Sequence, residues 1–129
     1  MRGVLGSPRS AYTILVVDDE PGVRYLLRNI LTGVGYQVLE AKDGREAVRL
    51  VEASAVDLAI IDLVMPGQEG IETIQYLHRA RPQLKIIAIS GKSESQVLSA
   101  AEYLGAHASF CKPIQADELL HAVAGVLLG

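Results

Sequence analysis

The sequence predicts an α/β fold: one doubly wound, five-stranded parallel sheet in a single domain, with helices on both faces. Three observations predict it. Short unbroken apolar runs recur along the chain: Ile14-Leu15-Val16-Val17, Leu58-Ala59-Ile60-Ile61, Ile86-Ile87-Ala88-Ile89 and the weaker Ala108-Ser109-Phe110-Cys111. Such runs suit strands buried on both faces, as in parallel sheets covered by helices. Longer segments with apolar residues at three- and four-residue spacing separate them, as in helices with one buried face. Finally, the two kinds of segment alternate, and right-handed crossovers then place helices on both faces of one sheet.

The elements follow in order. After the strand ending at Val17, Val23, Leu26, Leu27, Ile30 and Leu31 form the buried face of a first helix. Pro21 suits its first turn and Gly33 is placed at its end. Gln37 to Ala41 is more polar and reads as an edge strand. Asp43 caps a helix from Gly44 to about Ala53. Ile71, Ile74 and Leu77 mark a third helix, stopped near Pro82. Val97, Ala101 and Leu104 mark a fourth, ending at Gly105. Leu119, Leu120, Val123 and Leu127 mark a fifth, starting near Gln115 or Ala116. Residues 1–11 read as a flexible leader and 12–128 as one domain.

Composition narrows the function. The chain has 129 residues, half of them hydrophobic, enough for one sizeable core. Its net charge is −3 and its basic residues form no stripe, which argues against nucleic-acid binding. Cys111 is the one cysteine, so no internal disulfide forms. It reads as a small buried side chain in a reducing cytosol. No apolar run approaches the roughly 18 residues that cross a bilayer, and Met1 to Ser10 lacks the apolar core of a signal peptide. Membrane insertion is not expected.

Sites in open sheets of this kind lie beyond the carboxyl ends of the strands. The first strand ends in Asp18-Asp19-Glu20, the third in Asp62, the fourth in Ser90-Gly91 and the fifth in Lys112-Pro113. Three aspartates in a partly desolvated site repel one another, and a bound cation relieves the strain. An oxygen-rich cluster favours a hard ion; Mg²⁺ fits, since it takes one or two carboxylates, waters and a phosphate oxygen. A carboxylate can act as a nucleophile and hold a phosphoryl group as an acyl phosphate. The cation and Lys112 could supply the positive charge this needs, and the Ser90 hydroxyl could donate to a phosphoryl oxygen. Each residue also has a plainer reading. Asp18, Asp19 and Glu20 could open the first helix, Asp62 could start a turn before Met65-Pro66-Gly67, Ser90 or Ser93 could cap a helix, and Lys112 could be a surface lysine. All of these would have to hold together at carboxyl strand ends by coincidence.

In order and spacing, Ile14-Leu15-Val16-Val17-Asp18-Asp19-Glu20, Asp62-Leu63-Val64-Met65-Pro66-Gly67-Gln68-Glu69-Gly70, Ser90-Gly91 and Lys112-Pro113 resemble the receiver domains of bacterial two-component response regulators. The resemblance spans Tyr12 to Leu128. It implies a flavodoxin-like fold with strand order 2-1-3-4-5. It implies that Asp62 is the phosphoacceptor, and that Asp18 and Asp19 hold Mg²⁺ with Asp62 and the backbone carbonyl of Val64. Lys112 would pair with the phosphoryl group, and Ser90 would be the switch hydroxyl. Gly91 would leave room for its N–H to approach, and Lys112-Pro113 would be cis. The phosphodonor would be a phosphohistidine on a sensor histidine kinase or phosphotransfer protein. The chain would be a signalling domain that catalyses only its own phosphorylation and dephosphorylation, acting on a downstream protein or an output domain.

One departure stands out. Many receivers carry Tyr or Phe three positions before the lysine; here that position is Ser109, and Phe110 follows. A one-residue step on a strand reverses the facing side, so the relay from the site is expected to differ. The apolar run Ala122 to Leu128 offers core contacts or a surface for a partner or second copy of the chain, but the charge pattern of many receiver dimers is not evident. His78, His107 and His121 have no metal-ligand spacing; His78 and His121 read as exposed helix residues and His107 as part of a turn. Gly33-Val34-Gly35 follows a helix and so is no dinucleotide fingerprint. Two rival functions remain. A phosphatase resembling the haloacid dehalogenases would have its nucleophile at the end of the first strand and a second Asp two residues on, where this chain has Glu20. The other is a binding module of the same fold that is never phosphorylated.

Overall fold

In the computed structural model, which describes residues 11–63, 69–91, 101–102 and 104–129, the apolar runs form one parallel sheet. The elements are β1 (Thr13–Val17), α1 (Pro21–Thr32), β2 (Gln37–Ala41), α2 (Gly44–Ala53), β3 (Leu58–Asp62), α3 (Glu69–Ala80), β4 (Lys85–Ser90), β5 (Ala108–Cys111) and α4 (Ala116–Leu128). The strand order is β2-β1-β3-β4-β5, and every neighbouring pair is parallel. Ala101, Glu102 and Leu104 are helical, matching the end of the helix expected before Gly105; Val97 and residues 1–10 lie outside the described residues.

The strands alternate their side chains between two cores, as the period of two demands. Leu15, Val17, Ala59, Ile61, Ile86 and Ala88 meet Ala47 and Val51 of α2 and Ile74 and Leu77 of α3. Ile14, Val16, Leu58, Ile60, Ile87 and Ile89 meet Leu27 and Leu31 of α1 and Leu119 and Val123 of α4. The central strands are therefore buried on both faces. Leu120, Ala122, Val126 and Leu127 also pack on the second core, so most of the apolar surface of α4 is core contact.

Local signals set the helix ends. The Asp43 carboxylate accepts the Glu46 N–H at 2.8 Å, and the Glu46 carboxylate accepts the Lys42 N–H at 2.9 Å, so α2 is capped reciprocally. Pro21 opens α1 as expected. The helix stops as expected, with Gly33 as its C-cap residue. Gly33 keeps a right-handed conformation, whereas Gly35 takes φ 107°. The N–H of Gly35 bonds to Thr32 O and that of Tyr36 to Leu31 O, a pair of bonds that needs a left-handed residue between them.

Two expectations are corrected. β5 was expected to be covered on both faces, but it is the second edge of the sheet and only partly buried. Cys111, expected to be buried, ends that edge strand and is exposed.

Candidate functional site

The backbone ladder continues one bond past several strand ends, and this fixes the spacing of the residues that follow. Asp18 N donates to Ala41 O at 3.1 Å, Leu63 N to Ile89 O at 2.9 Å and Lys112 N to Ser90 O at 2.6 Å. Asp18, Asp62, Ser90 and Lys112 thereby come to one end of the sheet. Val64, Met65, Pro66, Gly67 and Ser93, also singled out in the sequence, lie outside the described residues.

Lys112 is the hub. Its Nζ lies 3.3 Å from Asp62 Oδ2, 3.4 Å from Asp18 Oδ2 and 3.7 Å from Glu20 Oε1. It is therefore no ordinary surface lysine. Asp62 and Asp18 are 1% and 0% exposed, so two carboxylates from separate strands share one ammonium away from water. Asp18 also serves the start of α1: its Oδ1 accepts the Glu20 N–H at 2.9 Å. The plainer reading of this acid as a local turn group thus describes one oxygen, while the other faces the site. Glu20 sits at the N-cap position, but its side chain makes no capping bond.

The electrostatics follow from burial. Desolvation, together with the Asp62 charge, pushes the Asp18 carboxyl up to about 6, against the lowering effects of the Glu20 N–H and Lys112. Burial alone would lower the Lys112 ammonium, but the Asp62 and Asp18 carboxylates outweigh it and hold its pKa above the ordinary lysine value. One ammonium does not fully offset the crowded acids. One carboxylate oxygen from each of Asp18, Asp19 and Glu20 lies within 4.8 Å of the others. This oxygen-only, cysteine-free grouping suits a hard divalent cation such as Mg²⁺, and Asp19, being exposed, can present its carboxylate alongside waters.

The Ser90 hydroxyl is buried and makes no hydrogen bond to any described residue. Burying such a group unpaired costs about 1–3 kcal/mol; the start of the helix it was expected to cap lies outside the described residues. The Lys112-Pro113 peptide bond is cis, as the resemblance implies. A methyl group at Gly91 would meet no described atom within 4 Å.

On β5, Phe110 packs into the core formed with α1 and α4, and the Ser109 hydroxyl donates to the Glu102 carboxylate. The two residues face opposite sides of the sheet, as the one-residue shift predicts. His78 and His121 are exposed on their helices, and His107 lies just before β5, where its Nδ1 accepts the Ile86 N–H at 3.2 Å.

Two site-supporting residues escaped the sequence reading. Arg24 on α1 donates from Nη1 to the carbonyl of Asp18 at 2.7 Å. Its place four residues after Glu20 hinted at one helical turn, but nothing in the pattern named its acceptor. Gly70 lies in the first turn of α3, where a Cβ would stand 2.5 Å from Asp62 O and 2.6 Å from Leu63 Cα. It was legible only as part of a motif. A concavity of about 700 Å³ lies elsewhere, lined by Tyr12, Val51, Asp57 and Leu84 among others, and holds none of the candidate residues.

Comparison with known proteins agrees with this geometry. Residues 14–124 match the response regulator receiver domain family. Sporulation initiation phosphotransferase F of Bacillus subtilis is 33% identical over 110 residues, covering 85% of this chain and 89% of that protein. An uncharacterized transcriptional regulatory protein of the same organism, YrkP, is 38% identical over 109 residues; the match covers 84% of this chain but 46% of YrkP. Among solved structures, the response regulator TrrA of Thermotoga maritima, in complex with Mg²⁺-BeF, superposes with a TM-score of 0.81 at 33% identity, covering 90% of this chain and 99% of that one.

Proposed function

The chain belongs to the response regulator receiver family, and we propose that it is a phosphorylation-switched signalling module whose phosphoacceptor is Asp62. The observation that carries the assignment is the buried Asp62 carboxylate, 3.3 Å from an ammonium that Asp18 also shares. An acyl phosphate needs a nucleophilic carboxylate, positive charge at the transferring group and a donor to its oxygens. Asp62, Lys112 and Ser90 are the residues here that supply them.

In this reading an Asp62 carboxylate oxygen attacks the phosphorus of a phosphohistidine on a sensor kinase or phosphotransfer protein. The new O–P bond forms as the P–N bond breaks, and the imidazole nitrogen leaves with the electron pair. Mg²⁺, when bound, supplies charge neutralisation at the phosphoryl oxygens. Asp18 and Asp19 would hold it, partly through water, with Asp62 and the carbonyl of Val64. Lys112 then pairs with a phosphoryl oxygen in place of the Asp62 carboxylate. Ser90 donates its hydroxyl, which has no partner among the described residues, to another, which draws the end of β4 toward the site. The partner-binding surface changes in consequence, and the partner is a downstream protein or an output domain. The domain catalyses its own phosphorylation and dephosphorylation and turns over no other substrate. No described helix is long and apolar enough to cross a membrane, in keeping with the cytoplasmic location we propose.

The test uses acetyl phosphate as donor and intact mass as readout. The wild-type protein should gain one phosphoryl group in Mg²⁺ and none in EDTA, and Asp62→Asn should gain none. Labelling of the variant at Asp18 would favour a haloacid-dehalogenase-like enzyme. No labelling of either protein would favour a binding module.

A further inference from the structure

We propose that Arg24 is a positioning residue of the acidic site: its guanidinium, aligned by Glu40, holds the backbone of Asp18 so that the Asp18 and Asp19 carboxylates stay grouped for one cation. The inference rests on the proposed role of that group as the Mg²⁺ site.

The Asp18 backbone is held at both ends. Its N–H bonds to Ala41 O of β2 at 3.1 Å, and its carbonyl accepts Arg24 Nη1 at 2.7 Å. Arg24 is itself fixed. Its Nε donates to Glu40 Oε1 at 3.2 Å, and its side chain is 17% exposed. Glu40 is gripped a second time by Arg28, whose Nε donates to the other carboxylate oxygen and whose Nη2 reaches Val38 O at 3.2 Å. The planar fork of arginine can hold two acceptors at once in a set geometry, which a lysine cannot. The result is a chain of contacts from β2, through Glu40 and Arg24, to the peptide that carries the buried acid.

Simple charge counting predicts the opposite of this role. Arg24 is a cation near a cation site, and by Coulomb repulsion alone its removal should tighten metal binding. Positioning predicts that its removal weakens binding, because groups that orient metal ligands typically contribute about 10–100-fold in affinity. The sign of the change therefore separates the two. Arg28 provides the control. It shares Glu40 but does not touch Asp18, so Arg28→Ala disturbs the same clamp without freeing the site.

The experiment is a Mg²⁺ titration of the full chain followed by amide resonances, with hydrogen exchange measured in EDTA. Arg24→Ala should weaken Mg²⁺ binding about tenfold. Arg24→Lys should fall between it and the wild type, and Arg28→Ala should stay within about twofold of wild type. In EDTA, the hydrogen-bonded amides of Asp18 and Glu20 should lose protection in Arg24→Ala and keep it in Arg28→Ala. Unchanged or tighter binding in Arg24→Ala, or equal loops in the two variants, overturns the proposal. Failure of the wild type to bind Mg²⁺ overturns the site's proposed function instead, and the exchange measurement still decides whether Arg24 holds the loop.

Discussion

Replacing Asp18 by asparagine removes a buried charge while keeping the side chain's shape, so the variant reads what ionising that carboxyl costs the metal-free protein. Burial, then the Asp62 charge, raises its pKa from 3.8 to about 6. Below 3.8 the carboxyl is protonated in the folded and unfolded states alike, and no penalty exists. As pH rises toward 6 the unfolded chain ionises freely while the folded site resists, so wild-type stability falls relative to the variant. Above 6 the penalty is complete. At 1.36 kcal/mol per pKa unit it amounts to about 3 kcal/mol. Urea unfolding in EDTA at pH 3.5 and pH 7.5 measures it. The stability of Asp18→Asn minus that of wild type should grow by about 3 kcal/mol between the two conditions. Adding Mg²⁺ at pH 7.5 should shrink that gap, because the ion stabilises only the protein that binds it. A gap that does not change with pH, or that shrinks as pH rises, would refute the claim that crowded buried acids strain the site.

Three further changes test the parts around it. Gly70→Ala forces a methyl group to within 2.5 Å of the Asp62 carbonyl oxygen, so α3 must shift; thermal unfolding should show a loss of about 1–3 kcal/mol and phosphorylation should slow. Ser90→Ala removes a hydroxyl with no described partner, so urea unfolding should find stability unchanged or slightly raised, while beryllofluoride-induced amide shifts beyond the site should diminish. Lys112→Met strips two buried carboxylates of their shared counter-ion. It should destabilise the metal-free protein at neutral pH by about 2–3 kcal/mol, below the roughly 3–5 of a fully buried pair because Lys112 is 24% exposed.

The fold and the residues that meet at the carboxyl end of the sheet were legible in the sequence for physical reasons. Ile14 to Val17, Leu58 to Ile61 and Ile86 to Ile89 are apolar throughout because both faces of the sheet's centre are covered. Asp18, Asp62 and Lys112 were legible because charged residues directly after such runs have few structural uses. What stayed hidden depends on contacts between distant segments. Arg24 reads as an ordinary helix residue until its acceptor, a backbone carbonyl, is seen, and carbonyls leave no mark in a sequence. Gly70 sits in the first turn of α3 because another backbone passes close by, which only packing reveals. Cys111 was misjudged because a weakly apolar edge strand resembles a buried one.

The central claim is that Asp62 carries the phosphoryl group, and trapping that group by chemistry tests it most directly. Borohydride reduces an acyl phosphate to an alcohol and leaves free carboxylates unchanged. After treatment with acetyl phosphate and Mg²⁺, the wild-type protein should show the reduced residue at position 62 alone, and at no position in EDTA. Reduction at Asp18 or Asp19 in place of Asp62, or labelling that persists without a divalent ion, would contradict the account.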